Sequence, residues 1–241
     1  MSKKKRNGNS PIQAKKGRNT VGISNLRNVR IKPDFWTVKQ EELYEAIVNS
    51  PLTIATGPAG TGKTYIAALA ALKILQEPKY KIKKIYLTKP LVEAGEKLGF
   101  LPGTVEEKTD PFMYSFYMNI QKIAGKSVAD IMVKDKTIEV LPLAYMRGIT
   151  LENCVAILDE AQNTTPVQVK LFLSRLGKNA RLVLAGDEKQ RDTNITLNGL
   201  TDAMRRLSDL DSDISSIEFS NDDIVRHSLV NKILGAYETD E

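Results

Sequence analysis

Cysteine and long apolar runs are scarce in this chain of 241 residues. The one cysteine, Cys154, excludes an intramolecular disulfide, and its place at the start of an apolar run indicates a buried hydrophobic side chain rather than a nucleophile. No apolar run is long enough to cross a membrane, and the basic first residues are not followed by the apolar segment of a signal peptide. We therefore expect a cytoplasmic protein with no membrane partner.

Acidic residues are absent from the first 32 positions, which hold ten lysines and arginines. Because the whole chain carries +6, subtracting this +10 leaves −4 for the remainder. Few large apolar side chains accompany the charge, so we expect residues 1 to about 25 to be disordered. We predict a basic, largely disordered tail at 1–32 and a single domain at 33–241. Such a tail suits a polyphosphate partner such as nucleic acid, and an equally weighted alternative is a tail that only keeps the protein in solution.

Short apolar runs alternate with helical segments from residue 38 onward. This alternation predicts an α/β fold, in which helices cover both faces of a mainly parallel central sheet. Ligands of such folds bind at the carboxyl ends of the strands. Strands are predicted at 52–56, 84–88, 138–141, 155–158, 181–185 and 216–219. Helices are predicted at 65–75, 111–124, from Thr165 and Pro166 to a closing Gly177, at 199–208 and at 222–235.

Residues 57–64 match the pattern Gly-x-x-x-x-Gly-Lys-Ser/Thr, whose backbone N–H groups surround phosphate oxygens at the start of a helix. A predicted strand precedes the pattern and a predicted helix follows it, so a glycine-rich turn without a ligand is the weaker interpretation. Lys63 is expected to reach the β- and γ-phosphates of ATP, and Thr64 to coordinate Mg²⁺. The predicted nucleotide-binding residues of this loop are Gly57, Pro58, Ala59, Gly60, Thr61, Gly62, Lys63 and Thr64.

An acidic pair, Asp159 and Glu160, ends the apolar run at 155–158. Mg²⁺ takes one or two protein carboxylates and keeps several waters, so Asp159 is the predicted second metal ligand beside Thr64. Glu160 is then left to orient and deprotonate the attacking water. The second carboxylate favours hydrolysis over phosphoryl transfer to a small molecule, and the alternative is that both acids merely end a strand.

Weaker candidates follow other strands. Asp187 and Gln190 come after the run at 181–185, where a polar side chain can contact the γ-phosphate or its water. Arg147 and Arg226 are candidates to stabilise charge in the transition state, a role worth on the order of 10³ or more in rate. Each of these side chains has an ordinary alternative, a turn residue or a surface charge. His227 is expected to be a structural hydrogen-bonding group.

An amphipathic segment before the phosphate loop supplies a candidate for base recognition. Gln40 lies about fifteen residues before the phosphate loop, where it could read the edge of an adenine. Phe35 and Trp36 could stack on that base. Core packing is the commoner use of such aromatic side chains and stays open here.

Six separate blocks together resemble the PhoH-like ATPases over roughly residues 33–237. The resemblance implies a RecA-like three-layer sandwich of the helicase type, ATP hydrolysis and a part in RNA metabolism. It also implies that Gln162 couples hydrolysis to a nucleic-acid site and that the loop at 89–103 holds a strand backbone. Where many members carry arginine this chain has Lys89, a point charge rather than a planar fork. The blocks are 57–64, 88–103, 142–148, 158–163, then Gly186 and Asp187 with Gln190, and finally Val225, Arg226 and His227.

The chain has room for one such core, whereas helicases of this type commonly use two. We therefore expect a homo-oligomer, by analogy a hexameric ring in which a neighbour completes each ATP site. The leading function is an ATP-dependent remodeller of nucleic acid, and single-stranded RNA is the expected substrate. The alternatives are an ATPase that acts on a protein partner or serves as a nucleotide switch, and a P-loop kinase for a small molecule.

Overall fold

The computed structural model describes residues 21–90, 105–188, 198–226 and 229–230, with only the backbone given for 105–113. Its strands are β1 (Leu52–Thr56), β2 (Lys84–Thr88), β3 (Ile138–Val140), β4 (Cys154–Leu158), β5 (Arg181–Gly186) and β6 (Ile214–Glu218). Its helices of more than one turn are α1 (Val21–Leu26), α2 (Val38–Asn49), α3 (Lys63–Gln76), α4 (Val105–Ala124), α5 (Lys126–Lys134), α6 (Pro166–Leu173) and α7 (Gly199–Leu207). Within these ranges no helix is both long and apolar enough to span a membrane.

The six strands form one sheet in the order β3-β2-β4-β5-β1-β6, and every neighbouring pair is parallel. β5 therefore lies between β1, which leads into the phosphate loop, and β4, which leads into the acidic pair. Parallel pairing places the carboxyl ends of all the strands at one edge of the sheet. The predicted α/β fold with a mainly parallel sheet is confirmed.

Helices cover both faces of the sheet, because alternate strand residues face opposite layers. One core contains Ala55, Ile85 and Val155 of the strands with side chains of α1 to α5. The other contains Ile54 and Leu182 with side chains of α6 and α7. These three layers are those of the RecA-like sandwich that the resemblance implied.

Most of the predicted elements are present, with shifted ends. Thr165 caps α6 through its hydroxyl and Gln168 completes a capping box, with Pro166 at the first helical position, as predicted. The predicted end at Gly177 is wrong. The helix stops at Leu173 because the chain turns away to pair with another segment, and the Leu151 N–H donates to the Arg175 carbonyl at 2.8 Å.

Two helices and one loop differ from the sequence prediction. α5 was not predicted, and α4 begins six residues before the expected start at 111. The segment expected to open a last helix at 222 is instead a 3₁₀ turn, Asn221–Asp223, followed by a loop through Arg226. The Ser220 hydroxyl and the Asp223 carboxylate cap this turn, which satisfies the backbone locally.

The prediction of a largely disordered tail at 1–32 is also wrong for the last third of that segment, residues 21–32. Ile23, Leu26 and Ile31 are buried in the core, so the folded part of the chain already includes α1. The Gln76 amide donates to the Leu26 and Val29 carbonyls at 2.7 and 2.8 Å, and the backbone N–H of Gly22 donates to the Asp135 carboxylate. Three apolar side chains and these long-range bonds outweigh the basic composition. Residues 1–20, where disorder was also expected, lie outside the described residues.

We expect Leu26→Ala to lower the free energy of unfolding by about 2–5 kcal/mol, the usual cost of truncating a buried leucine. Leu26 is 0% exposed, whereas Val21 of the same helix is 62% exposed. Val21→Ala is therefore the matched control and should change stability by less than about 0.5 kcal/mol. Urea unfolding followed by circular dichroism measures both. Equal, small effects in the two variants would show that α1 is not packed on the domain.

Candidate functional site

The phosphate loop joins β1 to α3, and three of its glycines have positive φ angles. At Gly57 a Cβ atom would lie 2.4 Å from the Phe219 carbonyl oxygen, so only glycine lets the end of β1 pass this close to the end of β6. At Gly60 a Cβ would lie 2.1 Å from the Arg226 Nε atom. The loop therefore curls tightly at the start of α3, whose free backbone N–H groups favour an anion.

Lys63 is the first residue of α3, and its ammonium group lies over the loop. It donates to the Gly57 and Pro58 carbonyls at 2.6 and 2.8 Å and to the Thr61 hydroxyl at 3.3 Å. Burial lowers the pKa of Lys63, and the nearby Asp187 opposes that shift. A cation held inside the loop in this way has the position needed to contact the terminal phosphates of a nucleotide.

Thr64 and Asp159 meet at the floor of the site. The Thr64 hydroxyl donates to both carboxylate oxygens of Asp159, at 3.0 and 3.2 Å. A hydroxyl beside a carboxylate is the oxygen donor set that Mg²⁺ takes together with phosphate and water. Among the described residues no three His, Cys, Asp or Glu side chains cluster into an all-protein metal site. The side chains present therefore fit Mg²⁺, with Thr64 and Asp159 as the protein contribution.

Glu160 follows Asp159 in the left-handed backbone region, with φ of 53°. One of its carboxylate oxygens accepts a hydrogen bond from the Gln162 amide at 2.7 Å, and the other lies 3.6 Å from the Lys89 ammonium nitrogen. Its side chain is 41% exposed. The positive φ turns this carboxylate away from that of Asp159, so the two acids face different partners.

Gln162 connects the acidic pair to the phosphate loop. While its amide nitrogen donates to Glu160, its amide oxygen accepts from the Asp187 backbone N–H at 3.1 Å. The Asp187 carboxylate in turn accepts from the Ala59 N–H of the phosphate loop, also at 3.1 Å. A chain of hydrogen bonds thus runs from Glu160 through the end of β5 to the phosphate loop.

These groups surround a pocket of about 340 Å³ at the carboxyl edge of the sheet. Most of the side chains predicted for nucleotide and metal binding line it. Tyr65, Asn119 and Gly186 line the pocket but were not predicted as site residues. Tyr65 could have been predicted, because it directly follows Thr64 of the motif. Nothing in the sequence around Asn119 indicated a site. The lining residues are Ala59, Gly60, Gly62, Lys63, Thr64, Tyr65, Asn119, Asp159, Glu160, Gly186, Asp187 and Arg226.

The two candidate arginines lie in different places. The Arg226 side chain lies against Gly60, and the Val225 N–H donates to the Gly60 carbonyl at 3.0 Å, so Arg226 belongs to the phosphate pocket of its own chain. Arg147 is exposed and follows a 3₁₀ turn after β3, the far edge strand. Arg147 is not among the residues that line this pocket. Gln190 and His227 lie outside the described residues.

Gln40 does not face a nucleotide base in this structure, contrary to the prediction. It is 1% exposed; its amide oxygen accepts from the Trp36 N–H at 2.9 Å and its amide nitrogen donates to the Thr61 carbonyl at 3.0 Å. Both polar ends hold backbone, so Gln40 supports the phosphate loop. Phe35 packs on Tyr44 in the core, whereas Trp36 is 67% exposed and lies parallel to Tyr65, with ring centroids 6.5 Å apart.

We expect Asp159→Asn to raise the stability of the nucleotide-free protein near neutral pH. Burial, reinforced by Glu160, raises the pKa of Asp159. A raised native-state pKa means that the folded protein binds the proton more tightly than the unfolded chain does, so ionisation lowers stability above that pKa and costs nothing below the ordinary pKa of aspartate. Asparagine removes the charge, and the gain should shrink as the pH falls toward about 4.

Urea unfolding midpoints across a pH series measure this effect. Asp209→Asn is the control, because Asp209 is exposed and its substitution should change stability little. A stability gain of the same size in both variants, or none at Asp159, would contradict the expectation.

The sequence is similar to those of known proteins. Residues 30–238 match the family described as PhoH-like protein. The PhoH-like protein of Bacillus subtilis (strain 168) is 44% identical over 213 residues, which cover 88% of this chain and 65% of that protein. Protein PhoH of Escherichia coli (strain K12) is 39% identical over 201 residues, covering 82% of this chain and 56% of that protein.

A solved structure of Pif1 helicase from Candida albicans aligns with 78% of this chain and 41% of that chain, with a TM-score of 0.39 and 16% identity. The chain spans between 56% and 65% of the length of the two curated relatives named above. The matched family covers nearly all of the described residues, and the two relatives match over more than four fifths of the chain. The chain belongs to the PhoH-like protein family, and its fold is that of a P-loop nucleoside triphosphatase.

Proposed function

We propose that this protein hydrolyses ATP with Mg²⁺ and uses the reaction to remodel single-stranded RNA. One observation carries the hydrolytic half: Lys63 and Thr64 of the phosphate loop share one pocket with two acids that have separate partners. Asp159 is engaged with the metal-binding hydroxyl, which leaves Glu160 available for water. The cytoplasm is the proposed location of this activity.

The reaction needs a water placed in line with the bond to the γ-phosphorus. Glu160 would accept a proton from that water as its oxygen bonds to phosphorus and the bond to the ADP oxygen breaks. Lys63 would exchange its contacts to the Gly57 and Pro58 carbonyls for β- and γ-phosphate oxygens. Thr64 and Asp159 would hold Mg²⁺, which would supply positive charge to the phosphates. Arg226 would stabilise charge on the γ-phosphoryl group from within the same chain.

The ATP base is proposed to stack on Trp36, beside the pocket. The ring is exposed and parallel to Tyr65, whose own side chain lines the pocket. Gln40 is left out of base recognition because both ends of its amide are bonded to the backbone.

The nucleic-acid half of the proposal is supported by Lys89. This lysine follows β2 at the carboxyl edge of the sheet and lies 3.6 Å from Glu160. An RNA phosphate that bound Lys89 would compete with the Glu160 carboxylate for the positive charge of this lysine. RNA binding and water activation would then be coupled through a single ion pair.

A protein partner is the second candidate. An apolar groove of about 590 Å³ lies between α6 and α7, and Val167 at its rim is 77% exposed. Such a groove favours an apolar partner surface over a polyanion. A nucleotide switch or an ATPase acting on protein would use this groove and would be indifferent to RNA.

ATP turnover by the wild-type protein is expected to increase with single-stranded RNA, and the increase should fade as salt rises because released counterions drive binding. Glu160→Gln should lower turnover roughly 10²- to 10⁴-fold, the usual contribution of a general base, while leaving ATP bound. Phosphate release and binding of a fluorescent ATP analogue measure the two effects. Lys63→Ala is the control that should lose both. Turnover that ignores RNA at every salt concentration favours the protein-partner function, and phosphate transfer to an added acceptor without release into water favours a kinase.

We further propose a homo-oligomeric ring, a hexamer by analogy, in which Arg147 acts on the ATP site of a neighbour. Arg147 is not among the residues that line the phosphate pocket of its own chain, whereas its exposure leaves it able to meet a second copy. An arginine supplied across an interface can raise the hydrolysis rate by 10³-fold or more, by order of magnitude.

Subunit mixing distinguishes the two arginines. Mixing Glu160→Gln subunits with Arg147→Ala subunits should restore turnover, because some interfaces then pair an intact Glu160 with an intact Arg147. The matched mixture with Arg226→Ala should restore none, since Arg226 serves its own site. Sedimentation gives the oligomeric state. A fully active monomer, or recovery with Arg226→Ala in place of Arg147→Ala, would overturn the shared site.

A further inference from the structure

The edge of the sheet opposite the phosphate pocket carries a group of exposed lysines. They occupy the turns that lead into neighbouring strands, so they lie at the amino ends of the strands, away from the ATP site. We call these side chains, Lys81, Lys83, Lys134 and Lys178, the basic edge. Within the described part of the chain none of the four forms an ion pair with an acid, whereas Lys73, Lys79 and Lys84 all do.

Backbone hydrogen bonds fix the spacing of these turns. The Lys83 N–H donates to the Asn153 carbonyl at 2.7 Å, and the Asn153 N–H donates to the Lys178 carbonyl at 2.9 Å. The turns before β3, β2, β4 and β5 thus stand side by side over three strand spacings, about 14 Å. That length suits a short run of phosphates along one strand of nucleic acid.

The acids near this edge are largely engaged elsewhere. Glu77 pairs with Lys73 and Lys79, and Asp135 accepts bonds from Gly22 and Thr137. Asp135 keeps its charge, and Glu152 is exposed beside the turns, so two carboxylates face the four lysines. The edge therefore keeps a net positive charge.

Two lysines occupy turn positions that disfavour them. Lys81 and Lys136 have φ of 60°, in the left-handed region, while Asn153 and Asn179 fill the corresponding positions of the neighbouring turns with φ of 53°. Asparagine adopts this conformation more readily than a long side chain does. The lysine at position 81 therefore lowers the stability of the folded state. Its presence there calls for a role other than stability.

The chain enters the folded part at the same edge. Residues 1–20 contain seven lysines and arginines and no acid. They lead into Val21, and the next residue, Gly22, is bonded to Asp135 directly after Lys134.

We propose that the basic edge binds the phosphate backbone of single-stranded RNA as a second contact surface, remote from the ATP site. The aromatic side chain in these turns, Tyr80, is already contacted by the cations of Lys79 and Arg181, which would compete with a base for its ring. Contact through charge without base stacking gives binding that is independent of sequence and strongly dependent on salt. This surface does not depend on ATP hydrolysis.

The test compares two triple variants of the full chain that lose the same charge. The edge variant is Lys81→Asn with Lys83→Gln and Lys178→Gln, and the control is Lys122→Gln, Lys126→Gln and Lys170→Gln, three exposed lysines away from these turns. Anisotropy of a labelled single-stranded RNA, without nucleotide, gives affinity across a salt series. The edge variant should bind at least about tenfold more weakly, and the slope of log affinity against log salt should fall by about 2, from roughly 0.7 per lost phosphate contact. The control should change little.

A single substitution at the basic edge should change stability and RNA affinity in opposite directions. Lys81→Asn alone should raise the urea midpoint while it weakens RNA binding, so a loss of affinity through misfolding is excluded. Equal losses of affinity in the edge and control variants, or no loss in the edge variant, would overturn the proposal. So would a wild-type chain that binds no RNA.

ATP turnover distinguishes a failure of the proposed function from a failure of this RNA-binding surface. The edge variant without RNA should hydrolyse ATP at the wild-type rate. RNA that binds at the basic edge but never changes ATP turnover supports this surface and refutes the coupled motor. RNA that stimulates turnover at the same half-maximal RNA concentration in the wild type and the edge variant supports the motor and refutes this surface.

Discussion

Parallel register among three strands is the constraint on which the site depends. Thr56 of β1 lies opposite Gly186 of β5, and Leu184 of β5 lies opposite Leu158 of β4, so β4 ends within two residues of the level at which β1 and β5 end. Only because of this does the Thr64 hydroxyl meet the Asp159 carboxylate across an intervening strand. A slip of one residue would turn every buried strand side chain to the wrong layer. The strand register that buries the apolar side chains of both cores therefore also sets the distance between the metal-binding side chains.

This placement has an energetic cost that a bound ligand can offset. Asp159 is 8% exposed and lies beside a second acid, while Lys63 is largely buried inside a loop of carbonyl oxygens. Charges held this way lower the stability of the folded state, and a divalent cation with a polyphosphate supplies the opposite charges. Strain at Glu160, a non-glycine residue with positive φ, belongs to the same pattern of functional sites held at some expense to stability.

The sequence made the phosphate loop and the acidic pair predictable because their geometry is local. Eight consecutive residues around Lys63 define the loop, and Asp159 directly ends an apolar run. Contacts that depend on the strand order were not predictable in this way. Arg147 and Arg226 are equivalent as sequence candidates, and the position of Arg226 against Gly60 in the folded chain separates them. The partners of Gln40 likewise follow from how α2 packs against the loop.

The packing of α1 shows the same limit from another direction. Composition predicted disorder through about residue 25, and the composition is indeed basic, yet Leu26 is buried and the Asp135 carboxylate binds Gly22 from 113 positions away. Local composition reports what a segment can bury by itself. It does not report a groove that distant elements, here α3 and α5, provide. Whether Ile23 and Leu26 are buried was therefore decided by tertiary structure.

Neighbouring strands also explain why a ligand after β2 would affect hydrolysis after β4. Thr88 lies opposite Leu158, and the Asp159 N–H donates to the Thr88 carbonyl at 2.9 Å. The next residues along each strand, Lys89 and Glu160, must therefore lie close together, and any anion that binds one changes the field at the other. The basic edge, at the opposite ends of the same strands, has no such contact with Glu160. A strand of RNA held there would be retained without altering the chemistry, so retention and activation can be changed independently by mutation.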